Sequence, residues 1–331
     1  MNQPSLKHIA DLLGINPSTV SRALAGKSGV SEQLRNKITS VAEQLNYRPD
    51  TAARSLRTGS RFGLSVVTTA NPTEITSKRN YFLFSKGKDL FGAVTVLLVS
   101  EGRSADALCA EIISSKCRGV VLSGLGKSFT ENQYVVLEQH RIPAVSLDCA
   151  VQGKDSIVID RKAGMEEAVR FLFSKGCSRP LFLLHKNSGR DDPRKSGILA
   201  GLRSLGLPQD QPRFYYFSGS NIQDGYAIGK EVLEDKEKPD AVFTFNDHMA
   251  LGFIRAASEK GIIIPDDLLI IGFDDVDFAA YTKPSLTTIR QPVSQCVNEA
   301  LRLIETRIKS PDLPPRMKVF PAELIRRESA P

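Results

Sequence analysis

Apolar residues follow two regimes along this chain. Up to about residue 45 they form three short helical stripes; from residue 62 onward, continuous apolar runs alternate with further helical stripes. Leu6, Ile9, Ala10 and Leu13 recur at i, i+3, i+4 and i+7, which marks one face of a helix. Gly14 follows directly, where a left-handed residue ends a helix without a Cβ clash. Asn16 then suits an N-cap, and Pro17 suits the first helical position, where a missing N–H costs nothing. Val20, Ala23 and Leu24 form the next stripe, leaving Ser18, Thr19, Ser21 and Arg22 facing outward. Ser31 caps a third helix whose stripe is Leu34, Ile38, Val41, Ala42 and Leu45, enough to close a small three-helix core. Two short helices joined by a tight glycine turn form a helix-turn-helix, whose second helix enters the major groove of DNA.

Beyond the head, apolar runs predict strands at 62–68, 93–99, 119–122, 144–147, 157–159, 181–184, 214–217, 241–245 and 269–273. Helical patterns fall between them near 104–116, 162–175, 192–205, 225–235, 247–260 and 292–309. Continuous apolar strands separated by helices predict a parallel sheet covered on both faces. So many units over 270 residues predict two such sheets. No internal repeat or low-complexity segment interrupts the pattern.

Composition narrows the partners. The chain of 331 residues is 41% hydrophobic and 24% charged, as expected of a globular protein, and its length predicts two or three domains. The formal net charge is +7, but residues 1–61 hold nine Lys/Arg and four acids, so the head carries +5 and the remainder +2. A basic head on a near-neutral body is the footprint of a polyanion-binding module. The five cysteines at 109, 117, 149, 177 and 296 are odd in number and lack Cys-x-x-Cys spacing, so neither a disulfide framework nor a zinc site is expected. Lys, His and Asp interrupt the N-terminus early, which excludes a signal peptide, and no apolar run is long enough to span a bilayer. A cytoplasmic protein without a membrane partner is expected.

Specific motifs carry the reading further. Thr-Val-Ser-Arg at 19–22, Tyr-Arg-Pro at 47–49 and Ala-Arg-Ser-Leu at 53–56 make residues 6–59 resemble the headpiece and hinge of the lac repressor family of bacterial transcription regulators. Farther on, Phe245-Asn246-Asp247-x-Met249-Ala250-Leu251-Gly252, Gly272-Phe273-Asp274-Asp275 and Leu286-Thr287-Thr288-Ile289-Arg290-Gln291-Pro292 extend the resemblance over essentially the whole chain. The resemblance implies a small all-α helix-turn-helix domain followed by an α/β sensor. That sensor would hold two Rossmann-like parallel-sheet subdomains, of the type I periplasmic binding protein-like kind. It implies a headpiece at 1–48, a hinge helix and linker at 49–60, and an effector-sensing and dimerisation domain at 61–331. Chain crossings near Asp160, Gln291 and Pro321 would divide the sensor into an N-subdomain (61–160 and 291–320) and a C-subdomain (161–290 and 321–331).

Residue roles follow. Arg22 is the strongest base reader, because its guanidinium fork matches O6 and N7 of guanine. Pro17 and Ser18 sit where the family varies its base preference, while Asn16, Thr19, Ser21, Ser31 and Tyr47 are expected to contact phosphates and fix register. In resembling proteins the hinge orders on operator DNA; Leu56 would wedge between base pairs, Ala53 would pack beside it, and Arg54 and Arg57 bracket it. Carried over by motif, the effector cleft includes Asn71, Asp160, Asn246 and Asp274. Two positions depart from the family: Ile198 stands where most members place an arginine, and the aromatic lid near 220 reads Ser-Gly-Ser-Asn. Lys78, Arg79, Arg190, Arg194 and Lys195 are expected to make the cleft wall basic, which favours an anionic effector such as a sugar phosphate.

Other chemistries find less support. Gly126-Lys127-Ser128 resembles a Walker A ending, but Val121 stands where that motif needs glycine. His8, His140, His185 and His248 show no metal-ligand spacing, and no nucleophile signature occurs, so no cofactor, metal or catalytic residue is expected. Asp274 and Asp275 follow an apolar strand, and in this fold that strand end is where ligands bind. The expected function is sequence-specific repression of carbohydrate-related genes by a homodimer on a palindromic double-stranded operator, without enzymatic activity. The alternatives are a cytoplasmic sugar-binding protein and a regulator that binds DNA independently of any effector.

Overall fold

A computed structural model describes residues 4–24, 26–47, 61–70, 72–100, 102–125, 129–186, 192–209 and 213–331. The expected hinge residues Ala53, Arg54 and Leu56 lie outside the described residues, as do Asn71, Arg190 and the segment 126–128. The chain divides into two compact units, Met1–Phe62 and Gly63–Pro331.

The first unit holds α1 (Leu6–Leu13), α2 (Pro17–Leu24) and α3 (Glu32–Gln44). Ser5 caps α1 by accepting from the His8 N–H, and Gly14 closes it at φ 61°, in the left-handed region. Asn16 Oδ1 accepts from Ser18 N at 2.9 Å and opens α2; Ser31 Oγ accepts from Leu34 N and opens α3. Ile9, Ala10, Val20, Ala23, Ile38 and Ala42 are buried together, two from each helix, with Leu6, Leu13, Leu24, Leu34, Val41, Leu45 and Tyr47 packed around them. Arg35 of α3 pins the preceding loop by donating to the carbonyls of Ala23 at 2.6 Å and Lys27 at 2.7 Å.

The second unit contains two six-stranded sheets. Strands β1 (Leu64–Thr69), β2 (Val94–Val99), β3 (Val120–Ser123), β4 (Ala144–Leu147), β5 (Ser156–Asp160) and β11 (Met317–Pro321) form the first, in the order β11-β5-β4-β3-β1-β2 and parallel throughout. The second joins β6 (Pro180–His185), β7 (Arg213–Phe217), β8 (Ala241–Phe243), β9 (Leu269–Asp274), β10 (Thr287–Arg290) and β12 (Glu323–Ile325) in the order β12-β10-β9-β8-β6-β7, with only β12 antiparallel. The helices are α4 (Glu74–Phe91), α5 (Ala105–Ser114), α6 (Glu131–Gln139), α7 (Arg161–Ser174), α8 (Pro193–Ser204), α9 (Ile222–Val232), α10 (Asp247–Glu259) and α11 (Val293–Lys309). The chain passes from the first sheet to the second between β5 and α7. It returns between β10 and α11, which packs on β4 and β5, and leaves again between β11 and β12. One buried apolar cluster runs through both sheets, taking in Val66, Ile159, Phe182 and Ile289.

Three strands and two helices escaped the apolar pattern. β10 is short and mostly polar, while β11 and β12 are short, each carry a charged residue, and lie at sheet edges. α4 does bury a helical stripe, but the stripe reads Thr76, Arg79, Asn80, Leu83, Gly87 and Phe91. A helix whose buried face is half polar gives no apolar period. α6 likewise buries Gln133 and Tyr134 beside Leu137. β2 departs in the other direction: it is apolar yet leaves Val96 and Leu98 exposed at the sheet edge. No helix among the described residues is long and apolar enough to cross a membrane.

Candidate DNA-reading face and effector cleft

In the first unit, α2 turns Val20 and Ala23 into the core and Pro17, Ser18 and Arg22 toward solvent, with Thr19 and Ser21 half-buried at its flanks. The Arg22 Nε lies 3.5 Å from the Ser18 carbonyl one turn earlier, so its side chain runs back along the exposed face. Asn16 and Ser31 are exposed but already serve as caps. Tyr47 is half-buried against the core, and its N–H donates to the Ala42 carbonyl at 2.8 Å.

In the second unit, the carboxyl ends of the strands converge on a cluster of charge. Asp160 ends β5 and caps α7, its Oδ1 accepting from Ala163 N at 3.0 Å. Asn246 caps α10 through Met249 N at 2.9 Å and donates from Nδ2 to the Ser220 carbonyl at 2.9 Å. Asp274 ends β9 in a left-handed conformation, φ 112°, and accepts from Gln291 Nε2 at 2.5 Å. Burial pushes its carboxyl up to about 6, against the opposing pull of Arg194 and Gln291.

Arg194 corrects one expectation. Ile198 is indeed a core residue without a polar group, but Arg194 lies one turn earlier on α8 and supplies the guanidinium from there. It stacks between the rings of Phe245 at 4.0 Å and Phe273 at 4.5 Å. Burial lowers its pKa, with Asp274 beside it favouring the charged form. The aromatic faces missing near Ser220 are thus present on β9 and just after β8, where they hold the arginine.

Only part of the expected basic wall forms. Arg79 is buried and pairs with Asp148. Lys78 pairs on the surface with Asp277 at 2.8 Å, and Lys195 turns away to Tyr216 Oη at 3.1 Å and the Phe214 ring.

The sequence reading missed Asp148 and Arg161. Arg79 Nη1 lies 2.6 Å from Asp148 Oδ2, and Arg161 Nη2 lies 2.7 and 2.8 Å from its two oxygens. Burial acts to raise the Asp148 pKa, but Arg161 and Arg79 outweigh it and hold the carboxyl below its usual range. Both residues stand just past the carboxyl end of an apolar strand, the signal that marked Asp274, so the same rule applied to β4 and β5 finds them.

Beneath the cleft, Asp247 is fully buried, takes hydrogen bonds from Thr288 Oγ1 at 2.5 Å and Val276 N at 2.9 Å, and is pushed up to about 8 by burial. Its Oδ1 lies 2.1 Å from where a Cβ at Gly272 would stand, so the Gly-Phe-Asp motif needs glycine there for space. Among the described residues no group of three or more His, Cys, Asp or Glu is placed to hold a metal ion.

A profile of bacterial regulatory proteins of the lacI family matches residues 5–50, and one of a periplasmic binding protein-like domain matches residues 169–330. The HTH-type transcriptional repressor PurR of Vibrio atlanticus (strain LGP32) is 28% identical over 334 residues, covering 98% of both chains. The ribose operon repressor of Escherichia coli (strain K12) is 28% identical over 338 residues, covering 98% of this chain and 99% of its own. Residues 5–50 thus carry a lacI-family helix-turn-helix, followed by a periplasmic binding protein-like domain. Its fold matches the lac repressor dimer bound to operator and the anti-inducer ONPF with a TM-score of 0.83, at 23% identity over 99% of each chain. The chain therefore joins a DNA-binding helix-turn-helix to a periplasmic binding protein-like domain, and its named relatives are transcriptional repressors.

Proposed function

We propose that this chain is a transcriptional repressor that binds a palindromic operator as a homodimer and controls carbohydrate-related genes. A small-molecule effector, such as a sugar phosphate, in the sensor cleft would govern its DNA binding. The observation that carries the reading is α2, which keeps Val20 and Ala23 in the head's core and offers Ser18 and Arg22 to a partner. Arg22 reads a guanine, Pro17 and Ser18 tune the neighbouring base, and Asn16, Thr19, Ser21, Ser31 and Tyr47 set the register on phosphates. Ala53, Arg54 and Leu56 of the hinge enter the minor groove between half-sites. In the sensor, Asp160, Asn246 and Asp274 contact the effector together with Asn71 and Arg190.

The homodimer is supported by apolar surface left open on the second unit: Leu98 of β2 is 47% exposed, with Val96 and Tyr81 also exposed, and Tyr281 is 87% exposed. A second reading, DNA binding independent of any effector, is favoured by one observation: Asp148 already satisfies Arg79 and Arg161 from within the chain.

Selection of bound sequences from a random DNA pool with the full-length chain tests the proposal. Enrichment of two inverted half-sites at fixed spacing is expected, and enrichment of a lone half-site or of none would overturn it.

A further inference from the structure

Resting on the reading of the cleft as the effector site, we propose that Arg79 and Arg161 form an oxyanion seat, held in this structure by the chain's own Asp148 carboxylate. The effector is then a small polyhydroxylated anion, a sugar acid or a sugar phosphate, whose oxyanion takes the seat from Asp148.

Charge is the first reason. Asp274 stands beside Arg194 and also feels Arg161, but among the described residues only Asp148 forms ion pairs with Arg79 and Arg161. Two guanidiniums on one carboxylate leave donor capacity unused, and guanidinium forks match carboxylate and phosphate geometry. Arg79 is only 6% exposed, and its Nε is closed off without a partner.

Unpartnered polar atoms are the second. Arg79 Nε, Thr68 Oγ1, Asn80 Oδ1, Ser123 Oγ, Gln291 Oε1 and Arg194 Nε are six of eight such buried atoms among the described residues. Thr68 and Ser123 lie at the carboxyl ends of the adjacent strands β1 and β3, and Arg79 and Asn80 on the buried stripe of α4. Native interiors satisfy nearly all buried polar groups, so a gathering of donors and acceptors at strand ends marks a place for a ligand's hydroxyls.

Backbone conformation is the third. Asp148 sits at φ 70°, a left-handed conformation that L side chains disfavour. Asp and Asn are among the few side chains that tolerate it, so the chain holds at this turn a residue whose carboxylate can meet both arginines. The seat also joins the two halves of the sensor: Asp148 follows β4 of the first sheet, and Arg161 opens α7, which packs on β10 and β12 of the second. An oxyanion that replaces Asp148 therefore acts on the junction between subdomains, where a shift in their geometry can be biased.

The test uses full-length wild type and the variants Asp148→Gly and Asp148→Asn, both compatible with a left-handed backbone. Thermal shift and calorimetry are run with inorganic phosphate, glucuronate, glucose 6-phosphate and glucose. Expected are a lower midpoint for the variants without anion, its recovery with phosphate, and at least tenfold tighter binding of one acidic probe by a variant than by wild type. Preference for glucuronate over glucose 6-phosphate assigns a carboxylate source, and the reverse a phosphate source. Should Asp148→Gly not fold, Asp148→Asn gives the same readout. Stabilisation of wild type by glucose alone, with identical acid responses in all three proteins, would overturn the seat and leave the cleft as the effector site. No response of any protein to any probe would overturn both readings.

Discussion

Asp274 offers a measurement that reads the cleft's electrostatics directly. Its carboxyl moves from an ordinary 3.8 to about 6 because burial costs the charged form more than Arg194 and Gln291 return. The folded state therefore holds the proton more tightly than the unfolded one. The stabilisation is complete below the unfolded value near 4 and is lost as pH rises through 6. A change from 3.8 to about 6 corresponds to about 3 kcal/mol in all, of which about 1 kcal/mol disappears between pH 5 and pH 8.

Asp274→Asn keeps an oxygen for Gln291 Nε2 and a residue that tolerates φ 112°, but it cannot titrate. Urea unfolding of wild type and variant at pH 5, 6, 7 and 8 reads this contribution together with that of Asp247, whose carboxyl the Asp274 charge also raises. The stability of wild type relative to the variant should be greater at pH 5 than at pH 8, by about 1 kcal/mol. Parallel stability curves would show that Asp274 is ordinarily solvated and that the cleft is not closed around it.

Three further perturbations address the head. Arg22→Ala should cost roughly 1–3 kcal/mol per half-site and relax preference at one guanine, and an unchanged base-preference profile would rule out Arg22 as a base reader. Leu56→Ala should reduce operator bending while leaving the sensor's thermal transition in place; gel-shift bending assays that return equal angles for both proteins would exclude a wedge. Arg35→Met removes the donors to the Ala23 and Lys27 carbonyls and should destabilise the head by about 1.5–3 kcal/mol, read as a lower midpoint of its own transition by circular dichroism. An unmoved midpoint would mean that the loop between α2 and α3 is held by packing alone.

The local code of the head was sufficient on its own. Ser5, Gly14, Asn16, Pro17 and Ser31 act through neighbours at most four residues away, and the helical stripes of α1, α2 and α3 bury against one another. Capping and periodicity are short-range, so they are written in adjacent residues. The apolar strands of the sensor were legible for the same reason, since a strand covered on both faces must be apolar throughout.

What only the tertiary structure decided is where polar side chains meet. α4 was invisible because its buried stripe carries Thr76, Arg79 and Asn80, a stripe that makes sense only beneath the strand ends it covers. Ile198 occupied the position where an arginine was sought, while Arg194, one helical turn away, reached the cleft through the rings of Phe245 and Phe273. Lys195, its immediate neighbour, turned the other way to Tyr216. Asp148 and Arg79 are 69 residues apart in sequence and 2.6 Å apart in space. Their partnership depends on the order of strands in a sheet and on the helix laid over it. A charged side chain has no periodicity of its own; its role is set by the neighbours that desolvate and pair it.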